Sequence, residues 1–235
     1  GKKGFKSAIG LVFTFICIIY LFLPMLYKGY SPFLSAVIVI ILITIVSLYL
    51  IDGITKKSIS AMIGTIIGVI IAGICAAGFG YVAKISGYNV SEVEELVFVA
   101  NNTELKVGGI LFSAILIASL GAVMDVSMSI SSTLTEIYNH NKNIGRVELF
   151  KSGINVGRDM MGTMSNTLIL AFAGGSLNTL VFIFAYNYSY HQIINMYSIG
   201  IELMQGISAS MGVILTVPFT SLAGAFFISG KVLKK

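Results

Sequence analysis

Apolar segments long enough to cross a lipid bilayer recur along this chain of 235 residues. A transmembrane helix needs about 20 mostly apolar residues, and a backbone inside lipid must satisfy its own hydrogen bonds. The sequence therefore predicts an all-α, polytopic membrane bundle of about six transmembrane helices, forming one domain over residues 1–235. The predicted spans cover residues 8–27, 33–52, 58–83, 107–130, 160–187 and 206–229.

Composition supports this interpretation and excludes a soluble globular protein. Hydrophobic residues make up 56% of the chain and charged residues only 11%, whereas a soluble domain carries about one quarter charged residues. We therefore expect a multi-pass protein of the cell membrane, with the lipid bilayer as its first partner.

The basic residues lie almost entirely on one side of the predicted bundle. With the N-terminus in the cytoplasm, the inner segments hold twelve Lys and Arg residues and the outer segments hold three. The inner residues are Lys2, Lys3, Lys6, Lys56, Lys57, Lys142, Arg146, Lys151, Arg158, Lys231, Lys234 and Lys235, and the outer ones are Lys28, Lys84 and Lys106. Because cytoplasmic loops carry the excess of Lys and Arg, both termini are predicted to be cytoplasmic. The net charge of +5 thus reflects topology, and we expect no nucleic-acid partner.

One outer segment, at about residues 86–106, is acidic and is predicted to lie at the extracytoplasmic interface. Ser91 and Glu94 have the spacing of a capping box ahead of an apolar run. This pattern predicts a short interfacial helix.

Small residues predict where helices approach each other closely. Gly64, Gly68 and Ala72 share one face of the third span, and Ser208 and Gly212 share one face of the sixth. In lipid, small residues allow close contact between helix backbones, so packing is favoured over ligand binding at these positions.

Two features predict irregular helices. Gly174-Gly175 interrupts the fifth span, which leaves two alternatives: one long kinked helix, or a helix followed by a short outer hairpin. Pro218 removes a backbone hydrogen bond and is expected to bend the sixth span.

Polar residues on one face of the fourth span are the strongest candidates for function. Asp125, Ser129, Ser132 and Glu136 are spaced by four, three and four residues, which places them on one face of a helix. Asp125 is the only carboxylate well inside a predicted span. An ionisable residue at that depth normally faces the bundle interior or a water-filled path. The serine hydroxyls have an alternative role, since they can bond their own helix or hold helices together.

A second polar stripe begins before the predicted fifth span and continues into it. Its members are Asn155, Asp159, Thr163 and Asn166. The connection between the fourth and fifth helices is short, which predicts an antiparallel hairpin. The two stripes are then expected to face each other across a proton, cation or substrate path. Glu136 and Asp159 are expected near the inner interface, where Arg146, Lys151 and Arg158 can pair with them.

Motifs of known enzyme classes are missing from the sequence. It has no HExxH, GxSxG, CxxC or P-loop pattern. Cys17 and Cys75 lie in apolar runs without partners at metal-ligand spacing, and His140 and His191 fall on opposite sides of the predicted membrane. We therefore expect no cofactor, no metal and no enzymatic activity. A single intramembrane Asp suits proton or cation handling better than hydrolysis.

Several segments together resemble a known family. GAVMDVSMSISSTLTEI, SGINVGRDMMGTMSNTLILAFAGG and the earlier DGITKKSISAMIGT are similar to the YibE/F family of prokaryotic membrane proteins. The resemblance covers nearly the whole chain. It implies a multi-span membrane protein, often suspected of transport, without an agreed substrate.

A weaker similarity links the chain to the membrane units of SecD/SecF-type proteins. Asp125, Thr163, Thr167 and Gly174-Gly175 occupy places comparable to polar and glycine positions of that six-helix unit. This chain lacks a large domain between its first two spans and has an extra segment at 176–205. The similarity therefore implies a related fold and does not extend to a pump mechanism.

The sequence favours a permease or permease subunit, coupled to a proton or cation through Asp125. The alternative is a non-transporting membrane scaffold or assembly partner, in which the polar stripes hold helices together or dock another protein. An intramembrane enzyme is the least favoured interpretation. A homo-oligomer, or a hetero-oligomer with a related membrane protein, fits the first two hypotheses.

Overall fold

Helices account for most of the chain. A computed structural model describes residues 2–229, and the structure is 86% helical with no strands among the residues described. The helices are α1 (Lys2–Cys17), α2 (Leu23–Tyr27), α3 (Pro32–Asp52), α4 (Lys56–Ala83), α5 (Val93–Asn101), α6 (Ile110–His140), α7 (Arg146–Gly175), α8 (Leu177–Ala185), α9 (Tyr190–Ile194) and α10 (Tyr197–Phe227). A π-helical turn, Ile18–Phe22, joins α1 to α2.

Five helical stretches are long and apolar enough to cross a membrane. They are Gly4–Tyr27, Pro32–Asp52, Lys56–Ala83, Val107–His140 and Tyr197–Phe227. The pair α7 and α8, which is bent by 58°, adds a sixth if the two helices count as one span. The predicted all-α membrane bundle of about six helices is thereby confirmed. The bend directly follows Gly174-Gly175, the pair at which the sequence predicts an interruption.

Several helices extend further than hydropathy predicts. α6 ends at His140 and not at 130, α7 begins at Arg146 and not at 160, and α10 begins at Tyr197 and not at 206. The 31 residues of α6 span about 46 Å, against about 30 Å for the hydrocarbon core. The additional turns are more polar than the spans, so the hydropathy pattern ends before the helix does. α10 continues through Pro218, and the predicted bend there stays a prediction.

The centre of the bundle is the antiparallel contact between α4 and α10. Gly64 lies against Thr220 and Gly68 against Thr216, so numbers rise on one helix as they fall on the other. A Cβ atom on Gly212 would come within 2.9 Å of the Gly68 carbonyl oxygen. No larger residue fits at these glycines without a shift of the neighbouring helix. The predicted packing role of Gly64, Gly68 and Gly212 is therefore confirmed.

α3 and α6 complete the core around α4. Gly73 of α4 lies against Leu116 of α6 and against the ring of Phe33 on α3. Val39 of α3 and Val123 of α6 belong to the same buried hydrophobic cluster. This arrangement leaves α6 with one buried face and one face directed away from the bundle.

The connections between helices gather at two opposite ends of the bundle. Thr55 before α4, Tyr138 near the end of α6 and Ile228 after α10 line one cleft, and Arg146 at the start of α7 bonds to Ser229. The Lys-rich connections therefore meet at one end, hereafter the basic end. The side chains of Lys2 and Lys3, and the whole of Lys231, Lys234 and Lys235, lie outside the described residues.

The acidic segment at the other end contains the short helix that the sequence predicts, with a different cap. The helix α5 begins at Val93, and its N-cap residue Glu92 makes no side-chain capping bond. The capping box lies earlier, where the backbone N–H of Ser86 donates to Asn89 Oδ1 at 2.8 Å. The predicted box at Ser91 is wrong, because the helix starts one residue too late to place Ser91 at the N-cap.

Candidate functional site

Asp125 lies on the side of α6 that faces away from the bundle. The buried face of α6 is formed by residues such as Val123, Val126 and Ile130, and Asp125 is exposed on the opposite side. Within residues 2–229, no hydrogen bond or ion pair engages its carboxylate. One turn earlier, a Cβ atom built on Gly121 would meet nothing within 4 Å. The surroundings of Asp125 are therefore open within this chain.

The rest of the first stripe follows Asp125 along the same side of α6. Ser129 and Ser132 are half-buried, and Glu136 is exposed. Glu136 Oε1 lies 3.3 Å from His140 Nε2, one turn further along the helix. The structure thus places all four predicted residues on one side of α6, as the spacing indicates.

The second stripe is exposed along α7. Asn155, Asp159, Thr163 and Asn166 all lie on its outer side. The packed side of α7 carries Gly153 and Gly157. A Cβ atom on Gly153 would lie 2.5 Å from Ser221 Oγ of α10, and Gly157 lies against the side chain of Val217.

The two stripes do not form the packed contact between α6 and α7, and their predicted juxtaposition across a path stays a prediction. Leu134 of α6 approaches α7 at Gly153, with 3.3 Å between its Cδ1 atom and a Cβ built there. Close approach of backbones requires the glycine face, so the polar face of α7 is turned outward. We refer to the outward polar sides of α6 and α7 as the open polar faces. They comprise Gly121, Asp125, Glu136, Asn155, Asp159, Gly162, Thr163 and Asn166, with Ser129 and Ser132 at the edge.

Contact with lipid tails would be unfavourable for these faces. A charged side chain at the centre of a bilayer costs about 2.5–3.5 kcal/mol on insertion scales. α7 is long and apolar enough to cross a membrane only when it is taken together with the apolar helix α8. A polar helix side in a membrane is normally covered by protein or faces water. The open polar faces are therefore suited to another helix or to an aqueous path.

The expected ion pairs with Arg146 do not form. The Nε atom of Arg146 donates to Ser229 Oγ at 3.2 Å, and its guanidinium lies 4.7 Å from the ring centroid of Phe226. These contacts tie the start of α7 to the end of α10. Among the described residues, Glu136 lies instead beside His140, at 3.3 Å, and no ion pair connects Asp159 to Arg146.

A buried group of hydroxyls, which is not among the residues predicted from the sequence, lies where α4, α6 and α10 cross. Thr216 Oγ1 donates to the carbonyl oxygen of Gly64 at 3.2 Å, and Thr220 Oγ1 donates to Ser127 Oγ at 3.3 Å. The hydroxyl of Ser131, one turn beyond Ser127, is buried without a hydrogen-bond partner in the described chain. The sequence pattern that could have identified this group is the four-residue spacing of Ser127 with Ser131 and of Thr216 with Thr220.

Glu202 is the one carboxylate of α10. It is half-buried near the start of α10, and its Oε2 atom is buried without a hydrogen-bond partner among the residues described. Glu202 is not among the site residues that the sequence predicts. Its position, away from the basic end, separates it from the open polar faces near Glu136.

Metal-binding geometry is absent from the part of the chain between residues 2 and 229. No group of three or more His, Cys, Asp or Glu side chains there is arranged to hold a metal ion. Cys17 is buried and Cys75 half-buried, and both are free thiols. The chemistry that the open polar faces offer is proton exchange, cation coordination by single oxygens, and hydrogen bonding.

One protein family matches the chain. The model of the YibE/F-like protein family matches residues 1–230. No curated protein and no solved structure matches the chain.

Proposed function

The chain belongs to the YibE/F-like protein family, and we propose that it is a subunit of a permease in the cell membrane. The proposed coupling group is the carboxylate of Asp125, which binds and releases a proton or a cation. The basic end and both termini are proposed to face the cytoplasm, because loops rich in Lys and Arg stay on that side.

The position of Asp125 carries this proposal. It lies near the middle of α6, is exposed, and has open space beside it at Gly121. A carboxylate at such depth is costly, and residues of this kind normally mark an ion or substrate path. A single titratable group beside hydroxyls and amides can exchange a proton or a monovalent cation without a metal cluster.

The same position favours a subunit over a self-contained transporter. Asp125 points away from the core of its own chain, so a path that includes it needs a second wall. A second copy of this chain or a related membrane protein can supply that wall. The path would then run along the boundary between two subunits, with the open polar faces lining it.

A non-transporting scaffold is the second candidate, and one observation favours it. Ala114, Ala118 and Gly121 lie on the same exposed side of α6 as Asp125. Small residues at such spacing allow close helix contact in lipid. A partner helix packed directly against this side would leave no path, and the polar groups would then bond across the interface.

Flux measurements in proteoliposomes separate the two candidates. The wild-type protein, Asp125→Asn and the matched control Glu94→Gln are reconstituted, and a panel of cations and small solutes is tested with an imposed proton gradient. Asparagine keeps the shape and hydrogen-bonding capacity of aspartate and removes its charge. Glu94 is an exposed carboxylate on α5, outside both stripes.

The permease predicts gradient-dependent flux in the wild-type protein and in Glu94→Gln, and background flux in Asp125→Asn at unchanged stability and oligomeric state. The scaffold predicts background flux for all three proteins, with a weaker oligomer in Asp125→Asn. Full gradient-dependent flux in Asp125→Asn would remove this residue from the mechanism.

A further inference from the structure

A cleft at the basic end brings together lysines that are distant in the sequence. It has a volume of about 250 Å³, and its walls include Thr55, Lys56 and Lys57 at the start of α4 and Tyr138, Asn139 and Lys142 around the end of α6. Topology alone requires lysines on the cytoplasmic side, and it does not require them to share one cleft.

The charges in this cleft leave a positive surplus. Lys57 Nζ lies 2.6 Å from Asp52 Oδ2, so this lysine is already paired. Lys56 and Lys142 are exposed and have no ion-pair partner in the part of the chain that the structure describes. Glu136, the nearby carboxylate on α6, lies 3.3 Å from His140 and does not line the cleft. Two lysines are therefore available for an anion.

Polar neighbours hold one of the lysines in place. Lys142 Nζ donates to Asn139 Oδ1 at 2.7 Å and lies 4.7 Å from the ring centroid of Tyr138. These contacts restrain the ammonium group of Lys142, which lines the cleft. Its remaining N–H groups can donate to an anion without a large loss of side-chain entropy.

The N-terminus of α4 adds a weaker positive potential to that of the lysines. The first backbone N–H groups of a helix have no partner within it and carry a partial positive charge. Thr55 Oγ1 accepts from the N–H of Ser58, which leaves the preceding N–H groups beside the cleft. This feature supports the lysines and would not define a site without them.

We infer that this cleft binds a phosphate-bearing anion at the basic end of the bundle. Ligand pockets for whole small molecules usually measure about 300–1,000 Å³, so 250 Å³ fits a compact headgroup. Basic pockets between transmembrane helices bind anionic lipid headgroups by this chemistry. A free phosphate in solution offers the same charge and the same acceptor oxygens.

Binding of short-chain phosphatidylglycerol to the purified protein in detergent tests the inference. The test variant is Lys56→Gln/Lys142→Gln, and the control variant is Lys84→Gln/Lys106→Gln, which removes two exposed lysines from the other end. Phosphatidylcholine of the same chain length, inorganic phosphate and pyrophosphate are titrated in parallel. Native mass spectrometry and calorimetry give the bound number and the affinity.

The affinity of the wild-type protein for phosphatidylglycerol should exceed its affinity for phosphatidylcholine. The test variant should lose about 30-fold in this affinity, and the control variant should keep it. Displacement by inorganic phosphate or pyrophosphate would assign the site to a soluble phosphate, and its absence would assign the site to a lipid headgroup. Equal binding of both lipids, or equal loss in both variants, would overturn the inference.

Lys56→Arg/Lys142→Arg provides a second measurement that keeps the charge. This variant should retain binding to within about threefold, because both side chains act on phosphate through their charge. If the glutamine variant does not fold, Lys142→Gln alone should still lose binding about fivefold. Unchanged affinity in Lys142→Gln would contradict a site built around this lysine.

Discussion

Substitution of Gly68 by alanine tests the contact between α4 and α10 that holds the bundle together. A Cβ atom there would collide with the side chain of Thr216 and would lie 2.8 Å from Val123 Cγ1. Gly78, on the same helix, is the matched control, because a Cβ atom on it would meet nothing within 4 Å.

The two substitutions should have opposite effects on stability. Overpacking costs about 1–3 kcal/mol, and a shift of Thr216 also weakens its bond to the Gly64 carbonyl, worth about 0.6 kcal/mol. Alanine gains up to about 1 kcal/mol of helix propensity at either position. Gly68→Ala should therefore lose about 1–2 kcal/mol, and Gly78→Ala should gain up to about 1 kcal/mol.

The unfolding free energy can be measured by titration with a denaturing detergent from mixed micelles. Size-exclusion chromatography then shows which variants elute as folded protein. Equal stability of Gly68→Ala and Gly78→Ala would refute the close contact between α4 and α10.

Further predictions concern topology and the contact between α7 and α10. In a cysteine-free background, a cysteine at Lys142 should be shielded from an impermeant thiol reagent added outside, and a cysteine at Glu94 should react. Labelling of the cysteine at Lys142 from outside would show that the topology is the reverse of the one predicted. Arg146→Ala should lower the unfolding free energy by about 1–2 kcal/mol, because it removes the bond to Ser229 and the stacking on a ring. Arg158→Ala, at an exposed position on the same helix, should change it by less than about 0.5 kcal/mol, and equal losses would count against the Arg146 contacts.

The sequence was sufficient to predict the helices that cross the membrane, because lipid requires long apolar segments and internal backbone hydrogen bonds. It was insufficient for their ends. The first turns of α7, from Arg146 to Asp159, contain charged and polar residues that read as a loop. Once a helix has left the hydrocarbon region, its residues need not be apolar, so hydropathy does not show where the helix ends.

The candidate site was predicted only in part, because the spacing of residues does not show which face of a helix is packed. Spacing places Asp125 and Ser132 on one side of a helix, and the structure has them there. Spacing does not say whether that side faces a neighbouring helix. The decisive signal lay on the other side of α7, where Gly153 and Gly157 allow α10 to approach closely. A stripe of glycines was the better guide to the packed face than a stripe of polar residues.

If Asp125 lies on a path or at a helix interface, the side of α6 that carries it is not covered by lipid in the membrane. Spin labels at Gly121 and Gly162, compared with a label at the exposed apolar position Ile74 of α4, test it in reconstituted protein. The collision rate with dissolved oxygen, which concentrates in lipid tails, should be high at Ile74 and several-fold lower at the two glycine positions. Oxygen collision rates at Gly121 and Gly162 equal to the rate at Ile74 would show that lipid covers the open polar faces, and would contradict both the permease subunit and the scaffold.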